Sequence, residues 1–404
     1  MPKKIKIGVL KETKIPPDKR VALPPKRVLE LLDQNQNVVL VVQPSELRCY
    51  KDSEYMKEGV VMQGDLSDCE ILIGVKEVDI SSLIPDKTYL FFSHVAKEQA
   101  YNRDLLRAIL AKRIRLLDYE YFTDKEGVRL IAFGRWAGVV GAYNSLRGWG
   151  EKTGMYSLKP AHKCHNRKEM DAQLDLVKLK NSRILISGGG RVAWGVMETM
   201  KALGIREITP QEYLGMEFDE AVFCRIDPVH YVEHIEGKKF ELQHFFKNPK
   251  EYKSYFAPFS SCTDIYIAAH YWNPDSPRMF ELDEMTSPDF RIKMIADISC
   301  DINGSVPSTI RASTIAEPFY GFDPHSRTET GAFDSNTPIT MMTVDNLPGE
   351  LPRDASDEFS GILVKEILPR LIGDDPDGVV ERATITENGR LTERYSYLED
   401  YVKG

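Results

Sequence analysis

The sequence predicts an α/β protein built on doubly wound, largely parallel sheets, and three observations carry that prediction. Short β-rich runs alternate with segments of helical periodicity along the first third of the chain, the order that βαβ units produce. Mid-chain, the run Ser182–Gly195 (SRILISGGGRVAWG) passes from apolar residues through three glycines into a helical stripe, which reads as strand, tight turn and helix. Finally, 404 residues exceed what one core holds, so two domains are expected.

In chain order, Ile5–Leu10, Val38–Val42, Ile71–Val75, Thr88–Phe92 and Ile114–Asp118 are the β-rich runs, with helical patterns at Pro25–Leu32 and Lys97–Ala111. Gly134–Gly150 is rich in glycine yet periodic in apolar residues, and predicts a helix leading from the first domain to the second. A polar stretch over 156–180 suits a loop and a surface helix. In the glycine run, Ile184, Leu185 and Ile186 have the unbroken apolar character of a strand buried on both faces, while Val192, Val196, Met200 and Leu203 share one helical stripe. Beyond it, strands are expected at Arg206–Thr209, Asp264–Ala269, Lys293–Ser299 and Ile339–Leu347, and a long helix at Asp354–Ile372. Residues 210–260 show only weak periodicity.

Composition narrows the function. A net charge of −8 argues against a nucleic-acid partner, which would require a basic surface to neutralise phosphates. No run of 18 apolar residues is present, so no membrane span is expected, and the N-terminus passes into a strand without a signal-peptide core, giving a cytoplasmic expectation. Six scattered cysteines without a C-x-x-C pair indicate reduced thiols rather than zinc or disulfides. His162, Cys164 and His165 are ligand-type residues in a polar loop with no distant partner pair, and no metal is expected there.

Gly188, Gly190 and Ala193 have the G-x-G-x-x-A spacing of a dinucleotide-binding turn: the first glycine permits the turn, the second admits the pyrophosphate, and the small third residue packs helix on strand. In the first domain, four strand ends carry charged or titratable groups: Asp18 with Arg20, Lys76 with Glu77, His94, and Glu120. The carboxyl ends of strands line the ligand crevice of an open parallel sheet, where such groups converge. Any one of them alone would more often be a solvated tip.

Six stretches resemble a known family: Ile73-Gly-Val-Lys-Glu77, Phe91-Phe-Ser-His94, Arg115–Glu120 (RLLDYE), Arg129–Gly138 (RLIAFGRWAG), Asp297-Ile-Ser-Cys-Asp301 and Val344–Pro352 (VDNLPGELP). They are similar to the lysine–2-oxoglutarate reductase half of the bifunctional lysine-degrading enzyme, alpha-aminoadipic semialdehyde synthase. The likeness runs in order to Ala383–Gly389 (ATITENG), with more distant similarity to lysine-forming saccharopine dehydrogenases and the alanine dehydrogenase and transhydrogenase superfamily. The resemblance implies two Rossmann-like domains with an inter-domain cleft: residues 1–135 with 348–404 binding substrate, and 136–347 binding the dinucleotide. It implies NAD(P)H-dependent condensation of L-lysine, an amino acid, with 2-oxoglutarate, a 2-oxo acid, to saccharopine; a free-standing reductase is expected, with a second polypeptide or a different pathway handling the product. By the same resemblance, Lys76 and His94 are the acid–base pair, and Arg20 and Arg129 hold substrate carboxylates. Asp18, Glu77 and Glu120 surround the amine. Gly188, Gly190, Arg191, Val192, Ala193, Asp301 and Asn346 line the cofactor.

The chemistry of these residue types agrees, since imine formation needs groups that exchange protons and arginine pairs bidentately with carboxylates. Trp194 departs from the family's turn, where it either packs or stacks on the cofactor. The expected second strand ends Glu207-Ile-Thr-Pro210 with no acidic tip to bind a ribose 2′-hydroxyl, which favours NADP, with NAD possible. Other readings stay open: a reductase for another diamino acid and oxo acid, an alanine dehydrogenase-like enzyme, or a non-catalytic nucleotide sensor.

Overall fold

A computed structural model describes residues 4–404; residues 1–3, where the charged N-terminal stretch begins, lie outside it. The chain divides into two compact units, one running to Phe133 and resuming at Pro352–Gly404, the other Gly134–Leu351. In chain order the first unit holds β1 (Ile5–Val9), β2 (Val38–Val42), β3 (Val61–Met62), β4 (Ile71–Lys76), β5 (Thr88–Phe92) and β6 (Arg115–Asp118). The second holds β7 (Arg183–Ser187), β8 (Arg206–Glu207), β9 (Val222–Ile226), β10 (Val232–His234) and β11 (Tyr252–Ser254). It continues with β12 (Ile265–Ala268), β13 (Met294–Asp297), β14 (Phe319–Asp323), β15 (Thr328–Thr330) and β16 (Ile339–Met342), and β17 (Thr384–Glu387) and β18 (Arg390–Leu391) belong to the first unit again.

The first sheet has the order β18-β17-β6-β5-β4-β1-β2-β3, parallel from β6 to β3, with β17 added antiparallel to β6. The C-terminal helix Pro352–Ile362 joins this unit and seats Phe359 against Phe133, with rings stacked 4.4 Å apart, and edge-on to Tyr119. The expected single helix Asp354–Ile372 is instead α-helix to Ile362, a π turn over Leu363–Ile367, and α-helix Leu368–Ile372. Pro369 lacks the N–H that the carbonyl four residues earlier would accept, which is a sufficient cause for the wider turn. Likewise the pattern over Lys97–Ala111 yields an α-helix only over Arg103–Ala111, preceded by 3₁₀ turns around Glu98, whose φ is +56°.

In the second unit the sheet order is β15-β14-β16-β13-β12-β7-β9-β8, parallel from β16 to β8 and antiparallel at β14 and β15. Gly134–Thr153 is one helix and crosses Arg191–Ala202 at backbone contact. A Cβ on Gly138 would lie 1.9 Å from the Val192 carbonyl oxygen, and one on Gly195 2.0 Å from that of Arg135. The glycines that blur the helical signal of this segment are thus what lets the two helices meet. The weakly periodic 210–260 region contains β9, β10 and β11, and β9 lies between β7 and the two-residue β8. Among the described residues no helix is long and apolar enough to cross a membrane.

Candidate active site

Two groups of sequence-derived residues come together on the first unit, both at strand carboxyl ends. Lys76 is the last residue of β4 and pairs in register with Phe92, the last of β5, so Lys76 and His94 stand on neighbouring tips. Behind Lys76, Asp18 and Arg20 form a buried bidentate pair, with Arg20 Nε donating to Asp18 Oδ1 at 3.0 Å and Nη2 to Oδ2 at 2.5 Å. The guanidinium also lies 4.2 Å from the centre of the Phe133 ring. Burial works upward on the Asp18 carboxyl, yet Arg20 holds it well below the usual carboxylate range. Burial, and then the Arg20 charge, push the Lys76 ammonium below its ordinary value, while Asp18 acts in the opposite sense. Glu77 is bound by the Lys14 ammonium, which outweighs the upward effect of burial and keeps it ionised.

The second group surrounds His94, which has a left-handed backbone at φ +56°, uncommon for a non-glycine residue and stabilised here by a bond to its N–H. Asp118, at the end of β6, supplies that bond. Its Oδ2 accepts the Ser93 and His94 backbone N–H groups at 2.9 and 3.1 Å and the Ser93 hydroxyl at 2.5 Å, while Oδ1 accepts the Glu120 N–H at 2.8 Å. One carboxylate therefore fixes two adjacent strand tips. Glu120 accepts the Lys97 ammonium at 2.9 Å and stands 3.6 Å from Arg129 Nη2; Arg129 Nε donates to the Glu120 carbonyl at 3.1 Å. His94 Nδ1 lies 3.5 Å from Glu120 Oε2, an ion-pair separation and longer than a good hydrogen bond. Burial raises the Glu120 carboxyl, but His94 and Lys97 outweigh it and bring it down to about 2. Sequence reading passed over Asp118 and Lys97 because their roles depend on which strands become neighbours.

On the second unit the glycine turn behaves as its residue types require. Gly188 has φ +116°, and a Cβ there would meet the Ala269 carbonyl oxygen at 2.5 Å, so both conformation and space demand glycine. Gly190 precedes the helix Arg191–Ala202, and a Cβ on it would meet nothing within 4 Å. The two flank a cavity of about 860 Å³, lined also by Arg191, Val192, Asp227, Tyr231, His270, Ile298 and Ser299. Ala193 is fully buried under its helix. Asp301, in the turn after β13, and Asn346, ahead of the 3₁₀ turn Leu347–Glu350, are not among the cavity-lining residues.

One expectation about this turn changes. On the side of β7 away from β12 the neighbouring strand is β9, not Arg206–Thr209, because Pro210 opens a short helix capped by Thr209 and Glu212 and leaves β8 only two residues, at the sheet edge. The residue after β9 is Asp227, an acidic strand tip, which removes the basis for expecting NADP over NAD. Asp227 Oδ1 would sit 2.9 Å from a Cβ on Gly189, and it accepts Arg225 Nη1 at 2.5 Å; Arg225 also donates to the Gly188 carbonyl. Trp194 is 64% exposed, donates its indole N–H to the Gly189 carbonyl at 3.1 Å, and lines a separate cavity of about 410 Å³ with Gly189, Arg225 and Asp227 rather than the one at Gly188 and Gly190. A donor set suited to a nicotinamide dinucleotide is thus in place: a helix N-terminus behind open space at Gly190, and a carboxylate at the neighbouring strand tip.

A third cluster, His234, His244 and Glu251, gathers on the β10–β11 hairpin. His234 Nδ1 accepts the Glu236 N–H at 3.1 Å, so in the neutral ring the proton is on Nε2 and is donated to Glu251 at 3.2 Å. That ring nitrogen holds the hairpin and offers no lone pair to a metal.

Residues 8–140 match the family model of the alanine dehydrogenase/PNT N-terminal domain. Over 433 aligned residues the chain is 28% identical to the mitochondrial alpha-aminoadipic semialdehyde synthase of Mus musculus, an alignment covering 95% of this chain and 46% of the mouse protein. The chain thus spans about half the length of the synthases it matches. It is 25% identical to the lysine-forming, NAD(+) saccharopine dehydrogenase of Neurospora crassa, with 86% of this chain and 87% of that protein covered. Among solved structures it superposes on an L-alanine dehydrogenase with a TM-score of 0.67 at 14% identity, covering 99% of both chains. The resemblance carried by the sequence motifs therefore extends through the chain, and the α/β Rossmann-like fold is that of alanine dehydrogenase.

Proposed function

We propose that this protein is a nicotinamide-dependent oxidoreductase acting on a CH–NH bond, condensing L-lysine with 2-oxoglutarate and reducing the imine to saccharopine. The observation that carries this reading is the pair Lys76 and His94 on adjacent strand tips, each backed by its own fixed carboxylates and cations. The first unit is then the substrate-binding domain and the second the dinucleotide-binding domain. A neutral amine must attack the oxo acid and water must leave, and both steps need a group that accepts and returns a proton. Lys76, depressed by burial and Arg20, is suited to that exchange, and His94 is held for it by Asp118 and Glu120. Arg129 offers a guanidinium for a substrate carboxylate, and Arg20 acts through its pair with Asp18, setting the charge beside Lys76. Glu77, paired with Lys14, and Glu120, paired with Lys97 and Arg129, are the carboxylates beside the incoming amine and balance the cations gathered there.

Bound at the glycine turn, a nicotinamide cofactor would supply the hydride. Gly188, Gly190, Arg191, Val192 and Ala193 would hold its diphosphate at the helix N-terminus, with Asp301 and Asn346 toward the nicotinamide end. Asp227 suits a ribose 2′-hydroxyl and repels a 2′-phosphate, so NAD is proposed ahead of NADP. The N. crassa relative carries NAD(+) in its name. A cytoplasmic address belongs to the same proposal and is checked by fractionation, the mouse relative being named as mitochondrial.

The test is oxidation of NADH or NADPH with lysine or ornithine against 2-oxoglutarate or pyruvate. Lysine with 2-oxoglutarate should turn over fastest, and Lys76→Met should lower kcat. Turnover only with ammonia and pyruvate would instead make the protein an alanine dehydrogenase. Nucleotide binding without turnover of any pair would favour the sensor reading.

A further inference from the structure

Glu12, a half-buried carboxyl, takes no part in the proton exchange proposed for Lys76 and His94. The β1 ladder with β4 ends at Val9 opposite Ile73, and the Leu10 N–H donates to the Ile73 carbonyl. Beyond that point the chain leaves the sheet, and the β4–β5 register shifts between Ile73 and Lys76. The backbone N–H groups at the tip of β4 are met by a side chain: Glu12 Oε1 accepts Val75 N–H at 2.7 Å, and Oε2 accepts Lys76 N–H at 2.9 Å. A carboxylate thus stands in for the missing strand at the residue whose amine is to move protons. Only an ionised carboxylate offers an acceptor oxygen to each of two consecutive N–H groups without also presenting a donor.

We infer that Glu12 is the positioning residue of Lys76, holding the β4 tip through its two carboxylate oxygens and so setting where the amine points, without itself touching substrate. This rests on reading Lys76 as an acid–base group. The groups around Glu12 are Asp18 and Arg20 from the loop after β1, Lys76 on β4, and Tyr119 after β6. Burial, against the pull of the two backbone hydrogen bonds and with Asp18 adding to it, pushes the Glu12 carboxyl up to about 7. Above that pH both N–H groups are held; below it a proton on one oxygen turns an acceptor into a donor and loosens the tip.

The experiment compares Glu12→Gln, Glu12→Asp and Lys76→Met with the wild type in kcat, KM, pH–rate profile, NADH affinity and the pH midpoint of Lys76 modification by an amine reagent, read peptide by peptide. Glu12→Gln should lower kcat at least tenfold, leave KM and NADH affinity within about twofold, abolish the acid limb near pH 7 and shift the Lys76 modification midpoint downward. Glu12→Asp, which keeps the charge but is one methylene shorter, should fall between and retain an acid limb. A residue that only braces the fold would lower thermal stability yet leave the pH profile and the modification midpoint unmoved. That outcome in both Glu12 variants, or a wild-type kcat in Glu12→Gln, overturns the inference. Unimpaired turnover by Lys76→Met overturns the underlying reading of Lys76 instead, so the two failures are distinguishable.

Discussion

Replacing Gly190 by alanine should separate the nucleotide-binding role of the turn from its role in folding. A Cβ at Gly190 meets nothing within 4 Å and φ is −91°, so alanine fits both the space and the backbone. The expected cost is that of alanine at a helix N-cap, about 0.5–1 kcal/mol, or roughly 1–4 °C in Tm for a domain of about 150–250 residues. The same Cβ projects where a diphosphate would approach the helix N-terminus, so NADH affinity should fall at least tenfold, about 1.4 kcal/mol. Gly188→Ala is the control with opposite character. Its φ of +116° and the 2.5 Å approach to the Ala269 oxygen add backbone strain to overpacking, together about 2–5 kcal/mol and roughly 4–20 °C. Tm from calorimetry and NADH affinity from fluorescence titration measure both. A Gly190→Ala protein that binds NADH as tightly as wild type would refute the placement of the dinucleotide at this turn.

Three further outcomes are expected. Asp227→Ala should weaken NADH at least tenfold and strengthen NADPH as Arg225 loses its partner, measured by calorimetric titration; a wild type that prefers NADPH tenfold would contradict the role given to Asp227. Trp194→Phe and Trp194→Lys should leave NADH affinity within about twofold, since the indole is bonded to the Gly189 carbonyl and does not line the cavity at Gly188 and Gly190; a loss of tenfold or more would mean that the ring stacks on the cofactor. The Glu120 carboxyl is lowered from its usual 4.5 to about 2, so the stability it contributes is fully present above about pH 4.5 and is lost as pH falls toward 2. Glu120→Gln should therefore cost on the order of 3 kcal/mol at pH 7 and flatten acid unfolding between those values; an unchanged acid limb in urea titrations would show that the ion pairs with His94 and Lys97 are not formed.

What the sequence determined by itself was local: the apolar runs that became β1, β2, β4, β5, β6, β7, β12, β13 and β16, the helix at Gly134, and the glycine turn, each specified by periodicity or by residues that only one backbone conformation suits. It also contained the family motifs, because strand tips bearing Lys76, His94 and Glu120 are contiguous text. What only the tertiary structure decided was which of those tips are neighbours. The strand adjacent to β7 on the side away from β12 comes from the least periodic part of the chain, since β9 is buried between two strands and its residues answer to packing rather than to alternation. Asp227 thus acquires a role that no spacing from the glycines announced. The same holds for Asp118, which joins the ends of β5 and β6, and for Glu12, which reaches the N–H groups of residues more than sixty positions away. A hydrogen bond between a carboxylate and a distant backbone leaves no periodic trace in sequence; it exists only once the sheet has brought the two segments together.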